Sequence, residues 1–207
     1  EMKMFVAGEW VGSDRELSVE NPYSGEVVDT VPAATPDLVE RALAAAEAGA
    51  AAMARLSAWE RSEILRRAAD LLESRVEELA RTLSLEAGKP LVESRAEVAR
   101  CPDLLRLCAF EGTQVRGETL PLDAAANGAG RFGFTLRVPC GVVVAITPFN
   151  YPALLVAHKI GPALSAGNAV VLKPAGQTPL VPLKLTELLL EAGLPPLGLQ
   201  GLTGSGS

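Results

Sequence analysis

The sequence predicts an α/β protein with an open, Rossmann-like parallel sheet and a helical N-terminal lead-in. Three observations predict it. Two continuous β-branched runs, residues 142–146 and 169–172, read as strands buried on both faces, as parallel strands are. Residues 153–166 between them read as a crossover helix ended by Gly167, which makes a strand–helix–strand unit. Along the whole chain, helices come first and a β-α-β-α-β order follows, the pattern of an open α/β sheet.

Taken in order, residues 5–11 and 17–19 read as short strands, and Asn21-Pro22-Tyr23-Ser24-Gly25 turns the chain into another at residues 26–31. Thr35 before Pro36 marks a helix start: threonine can cap, and proline suits the first helical position because its missing N–H would have no partner there. That helix runs through an alanine-rich stretch towards Arg55. Residues 57–74 follow, with Ile64, Leu65, Ala68, Leu71 and Leu72 on one face. Residues 76–87 keep the helical period until Gly88-Lys89-Pro90 stops it. A further helix is expected over residues 91–115, broken or kinked near Pro102.

Residues 117–122 read as a short strand and residues 124–130 as a small, flexible link. Residues 132–138 alternate, with Phe132, Phe134, Leu136 and Val138 on one face, and an exposed apolar strand of that kind needs a partner. Beyond the strand–helix–strand unit, residues 178–191 form an amphipathic helix ended at Gly193. Residues 197–202 form a last strand, expected to carry an unpaired edge.

Hydrophobic residues make up 48% of the 207, enough to bury a sizeable core. A net charge of -6 without a lysine–arginine stripe argues against nucleic acid as a partner. No apolar stretch is long enough to span a bilayer, and the N-terminus shows no signal peptide. Three cysteines without C-x-x-C spacing and one histidine argue against a metal site. Cys101, Cys108 and Cys140 read as small buried hydrophobes with free thiols, in keeping with the cytoplasm.

Ligands of open α/β sheets bind beyond the carboxyl ends of the strands. The first run delivers Asn150 there and the second delivers Lys173. From spacing alone, Asn150 reads first as a cap on the following helix. Lys173 reads first as a surface lysine, held extended by Pro174.

The same residues resemble the aldehyde dehydrogenase superfamily. The resemblance rests on I-T-P-F-N-Y-P at residues 146–152, K-I-G-P-A-L-S-A-G-N-A-V-V-L-K-P-A at 159–175, Q-T-P-L at 177–180, E-A-G-L-P-P at 191–196 and the terminal T-G-S-G-S. It implies oxidation of a small aldehyde to a carboxylic acid, or in one branch to an acyl-CoA, with NAD or NADP. It gives Asn150 the role of oxyanion donor, because a neutral amide N–H stabilises a developing alkoxide without surrendering a proton to it. It places Lys159 near the proton path to the family's basic glutamate; a salt bridge or a helix-surface charge is the plain alternative. It sets Ile146, Thr147, Pro148, Phe149, Lys173, Ala175, Gly176 and Gly206 along the cofactor cleft, with Lys173 at the adenosine ribose or a phosphate. Gly176 stands where many NAD-preferring members carry glutamate. A carboxylate there would accept hydrogen bonds from ribose hydroxyls and repel a 2′-phosphate, so glycine implies that NADP is tolerated; a simple turn residue is the alternative.

The resemblance also divides the chain. It makes residues 1–120 the helical and strand part of a coenzyme-binding domain, 121–139 a projecting oligomerisation hairpin, and 140–207 the Rossmann-like part. It implies a homodimer or homotetramer for the full-length protein. The family's nucleophilic cysteine and basic glutamate lie downstream of the T-G-x-G segment. The chain is therefore expected to be the N-terminal portion of the protein, an incomplete aldehyde dehydrogenase fold that is inactive alone. A non-catalytic nucleotide-binding or interaction module is the alternative from another class.

Overall fold

The computed structural model describes residues 2–205, so Gly206 lies outside the described residues. Four short strands open the chain: β1 (Met4–Val6), β2 (Glu9–Val11), β3 (Glu16–Glu20) and β4 (Val27–Pro32). Five helices follow, α1 (Pro36–Arg55), α2 (Ala58–Ser74), α3 (Val76–Ala87), α4 (Leu91–Val98) and α5 (Cys101–Gly112). A ribbon of β5 (Thr119–Leu120) and β6 (Gly133–Phe134) comes next. The chain then runs through β7 (Val142–Ile146), α6 (Leu154–Ser165), β8 (Ala169–Lys173), α7 (Leu180–Glu191) and β9 (Leu199–Gly201). None of the helices is long and apolar enough to cross a membrane, among the described residues.

Local chemistry sets the helix ends. The Thr35 hydroxyl accepts the Leu38 N–H at 3.3 Å, with Pro36 in the first turn of α1. Ser57 and Glu60 form a reciprocal capping box on α2. Gly88 ends α3 in the left-handed region, at φ 66°. The helix expected over residues 91–115 is two helices. It breaks after Val98 and restarts at Cys101, with Pro102 in the first turn of α5, where its missing N–H costs nothing.

The main sheet has the order β2-β1-β9-β8-β7, parallel from β9 to β7 and antiparallel at β1 and β2. One face carries Val143, Ala145, Val170, Leu172 and Leu199 into a core built with α2, α3, α5, α6 and α7. The other face sets Ala169 and Val171 against Ala42 and Ala46 of α1 and Met4 and Val6 of β1. This makes a helix–sheet–helix sandwich with unequal layers.

Four expectations change. Residues 5–11 are not one strand, because Ala7 and Gly8 both take positive φ (54° and 86°) and fold them into the β1–β2 hairpin. The last strand has no unpaired edge: β9 lies between β8 and β1, and the sheet's edges belong to β2 and β7. Being at that edge, β7 is not buried on both faces. Val144 and Ile146 are exposed, because α1 covers that face only as far as Val142. Of the alternating residues 132–138, only Gly133–Phe134 form a strand, with Thr135 bonded to Glu118 beside it, and Phe132, Phe134, Leu136 and Val138 all remain exposed. The rings of Phe132 and Phe134 lie 5.8 Å apart, too small a cluster to shield themselves.

Gly49 marks the closest approach of helix to sheet. A Cβ on it would stand 1.9 Å from the backbone oxygen of Leu197, in the turn that leads into β9. Alanine would raise the helix propensity of α1 by about 1 kcal/mol. The overlap is with backbone, and overpacking of that kind costs about 1–3 kcal/mol. Gly49→Ala is therefore expected to lower the thermal midpoint by several degrees. A midpoint that rises would show that the turn before β9 gives way freely.

Candidate functional site

The parallel pairing of β7 with β8 puts Ile146 opposite Lys173, so both strands end level. The Thr147 N–H donates to the Lys173 carbonyl at 3.2 Å and closes the pairing. Beyond it the chain diverges, residues 148–153 leading to α6 and residues 174–179 to α7. Phe149 and Asn150 from the first segment, and Gly176, Gln177 and Thr178 from the second, line one cleft of about 680 Å³. Ser18, Pro22, Glu86 and Lys89 supply its other wall. This is the crevice that an open α/β sheet forms past its strand ends.

Asn150 is exposed and does not cap the helix. The N-cap position of α6 is Ala153, with no bond from its own side chain, and the Asn150 amide has no hydrogen-bond partner among the described residues. Glu97 does the capping. Its Oε1 accepts the N–H groups of Ala153 and Leu154 at 2.9 and 3.2 Å, and its Oε2 takes the Lys89 ammonium at 2.7 Å. Lys89 also lies over the Tyr151 ring, 3.9 Å from its centroid.

Glu86 repeats the device on α7. Its two oxygens accept the N–H groups of Leu180 and Val181 at 2.7 and 3.0 Å. Both carboxylates are buried, and each satisfies amide groups that a helix start leaves without partners. The opposite ends of the same helices are held by arginines of α2. Arg61 Nε donates to the Ser165 carbonyl at 2.8 Å, and Arg67 Nε donates to the Ala192 carbonyl at 2.8 Å. The glycines that terminate these helices, Gly167 and Gly193, have φ of 90° and 96° and leave room for the two guanidiniums.

The other expected site residues fall as follows. Ile146, Pro148 and Phe149 are exposed at the end of β7, and Thr147 is buried with its hydroxyl unpartnered. Lys173 is half-buried; its ammonium donates to the Pro174 carbonyl at 3.2 Å, and no carboxylate pairs with it among the described residues. Ala175 accepts the Thr178 N–H in the turn before α7. Gly176 does not have the positive φ that would demand glycine, and a Cβ on it would meet only the Gly204 oxygen, at 3.6 Å. Lys159 is exposed on α6 and does not line the cleft. Cys140 is not buried. It stands before β7, at the strand end opposite Asn150, with its Sγ 3.2 Å from Asn168 Oδ1. Cys101 and Cys108 are buried, and burial pushes the Cys101 thiol up to about 12. No group of side chains that could hold a metal ion occurs among the described residues.

Glu86, Glu97, Arg61 and Arg67 carry no motif, yet the sequence holds a trace of two of them. Glu86 follows Leu79 and Leu83 at helical spacing, and Glu97 precedes Cys101 by one turn. Both are charges on apolar faces, the one pattern a solvated helix surface does not produce.

Burial pushes the Glu86 carboxyl up to about 8; the two N–H donors pull it down, and the charge of Glu97 adds to the rise. The folded protein thus keeps a proton that the unfolded chain releases near 4.5. Stability contributed by that proton is complete below about pH 4.5 and is lost as pH rises to about 8. In Glu86→Gln this loss disappears. The difference in thermal midpoint between wild type and Glu86→Gln is expected to fall steadily across that window; a difference independent of pH would contradict the assignment.

Comparison with known proteins places the chain in a family. The model of the aldehyde dehydrogenase family matches residues 10–207. A 3-sulfolactaldehyde dehydrogenase of Priestia aryabhattai is 48% identical over 204 residues, covering 99% of this chain and 42% of the relative. The NADP-dependent glyceraldehyde-3-phosphate dehydrogenase of Bacillus halodurans, solved with NADP, superposes with a TM-score of 0.96 at 37% identity, covering 100% of this chain and 44% of that one. An aldehyde dehydrogenase of Physcomitrella patens, solved with the reaction product succinate, superposes with a TM-score of 0.95 at 39% identity over 99% and 43% of the two chains. The chain thus spans less than half the length of these relatives.

Proposed function

This chain belongs to the aldehyde dehydrogenase family, and from that premise we propose that it supplies the oxyanion donor and the cofactor crevice of an NAD(P)-dependent oxidation of an aldehyde to a carboxylic acid. The observation that carries the reading is the level ending of β7 and β8, with Asn150 and Gly176 on the walls of one cleft. An uncommitted, exposed carboxamide in that place suits a group that must find its partner in the substrate. Residues 121–139, with their exposed phenylalanines, serve as the hairpin that joins subunits of a homodimer or homotetramer in the cytoplasm.

The residues fit a dinucleotide. The Thr147 and Thr178 hydroxyls are buried without partners, and the missing side chain at Gly176 leaves room that its backbone does not require. Ile146, Thr147, Pro148, Phe149, Lys173, Ala175 and Gly176 would hold it. The cofactor, when bound, supplies the hydride acceptor. Lys173, with no carboxylate to neutralise it, offers positive charge to a ribose hydroxyl or a 2′-phosphate. Asn150 donates its amide N–H to the aldehyde oxygen as that oxygen gains negative charge, and keeps its own proton throughout. Lys159, exposed in the middle of α6, would conduct a proton towards the glutamate of the full-length protein. The nucleophile is not among Cys101, Cys108 and Cys140: two are buried, and the third is at the wrong end of β7.

In the full-length enzyme, Asn150→Ala is expected to lower kcat by about 10²–10³ with cofactor affinity retained. An unchanged kcat would remove Asn150 from the chemistry. Residues 1–207 alone are expected to form no NAD(P)H from an aldehyde, and clear turnover would refute the absence of a nucleophile. Gly176→Glu is expected to weaken NADP relative to NAD by on the order of tenfold or more, about 1.4 kcal/mol, through repulsion of the 2′-phosphate. Equal dissociation constants in that variant, measured by titration, would make Gly176 a turn residue only.

A further inference from the structure

The Asn150 amide has no described hydrogen bond to hold it, so its position is set by its backbone. That backbone hangs between two anchors. On one side, the Thr147 N–H is fixed to Lys173 at the end of the sheet. On the other, the Glu97 carboxylate holds the N–H groups of Ala153 and Leu154, while its second oxygen holds Lys89 against the ring of Tyr151, the residue next to Asn150. The free span between the anchors is Pro148, Phe149 and Asn150. Glu97 is buried, and the Lys89 side chain is 19% exposed, so neither is a surface ion pair that water would dissolve. No other side chain caps α6 among the described residues.

We propose that Glu97 and Lys89 are positioning residues for Asn150: the carboxylate fixes the first turn of α6, the ammonium fixes Tyr151, and together they aim the carboxamide into the cleft. This rests on the reading of Asn150 as the oxyanion donor. Neither residue touches reacting atoms in that reading. Their effect is therefore bounded, because misaiming a donor cannot cost more than deleting it. A displacement near 1 Å costs on the order of 10²-fold in rate, which sits at or below the whole contribution of one oxyanion donor.

The test is a double-mutant cycle in the full-length enzyme, with kcat and KM measured for wild type, Asn150→Ala, Glu97→Gln and the double variant. Glu97→Gln keeps an acceptor oxygen for the two amides but no longer attracts Lys89. It is expected to lower kcat on the order of ten- to a hundredfold in wild type, and by less than about twofold once Asn150 is already alanine. Lys89→Met, which leaves the Glu97–amide bonds in place, is expected to show the same pattern, and Lys89→Arg to restore most of the rate. Lys89→Met carries the test alone if Glu97→Gln does not fold. Equal losses in both backgrounds would reduce the pair to a general prop and overturn the proposal. So would an unchanged kcat in both single variants of the pair. If Asn150→Ala itself keeps full kcat, the oxyanion reading fails first, a result distinct from a cycle in which Asn150 matters and the pair does not couple to it.

Discussion

Acidic and basic side chains at the ends of two buried helices govern this molecule. α6 and α7 follow the two site strands, and each is gripped at one end by a glutamate and at the other by an arginine from the N-terminal helices. Glu97 and Glu86 take the amide ends, and Arg61 and Arg67 take the carbonyl ends. The Glu97 carboxylate and the two arginines match the helix dipole in sign, whereas Glu86, whose burial favours its protonated form, serves as a hydrogen-bond acceptor. A helix end buried without partners would cost about 1–3 kcal/mol for each orphaned group. The same contacts, with the Lys89 ammonium, make the buried Glu97 carboxylate tolerable, since an isolated charge in the core would be far more expensive.

A helix held at both ends cannot slide along its axis, and a strand joined to it by a short loop cannot slide either. The level finish of β7 and β8 is therefore inherited from α2, α3 and α4, which contribute no reacting group. Those helices act as a jig. Glu86 and Lys89 belong to the jig and to the wall of the cleft at once. The shape of the site is thus tied to the burial of the helical layer, with Leu65, Leu72, Leu79 and Leu83 as its largest fixed points.

Much of this was legible in the sequence, for identifiable reasons. Capping chemistry is local, so Thr35, Gly88, Gly167 and Gly193 announced their helix ends. Runs of β-branched residues announced β7 and β8, and the resemblance named Asn150 and Gly176. What periodicity could not show was anything decided across the chain. The Ala7–Gly8 turn is too short to interrupt a strand pattern. The burial of β7 depends on which strand ends the sheet, not on the strand itself. The four clamping side chains act over separations such as 56, 94, 104 and 125 residues, with no local trace of their partners. The role of Asn150 was ambiguous for the same reason: its rival as the α6 cap is Glu97, on another helix.

The seam between β1 and β9 gives the fold a schedule. The Ala7 N–H donates to the Gln200 side chain across 193 residues, and Phe5 pairs with Gly201. The hairpin is synthesised well before its neighbour in the sheet, because the two are separated by nearly the whole of these residues. At about 5–20 residues per second, that is a wait on the order of ten seconds or more. Throughout it, the edge of β1 that faces β9 has no strand to pair with, while Met4 and Val6 can already pack on Ala42 and Ala46 of α1. The helices α2 to α5 have mostly local contacts and can assemble meanwhile. Vectorial synthesis therefore presents the helical scaffold before β9, and the β1–β9 seam forms only after β9 has followed.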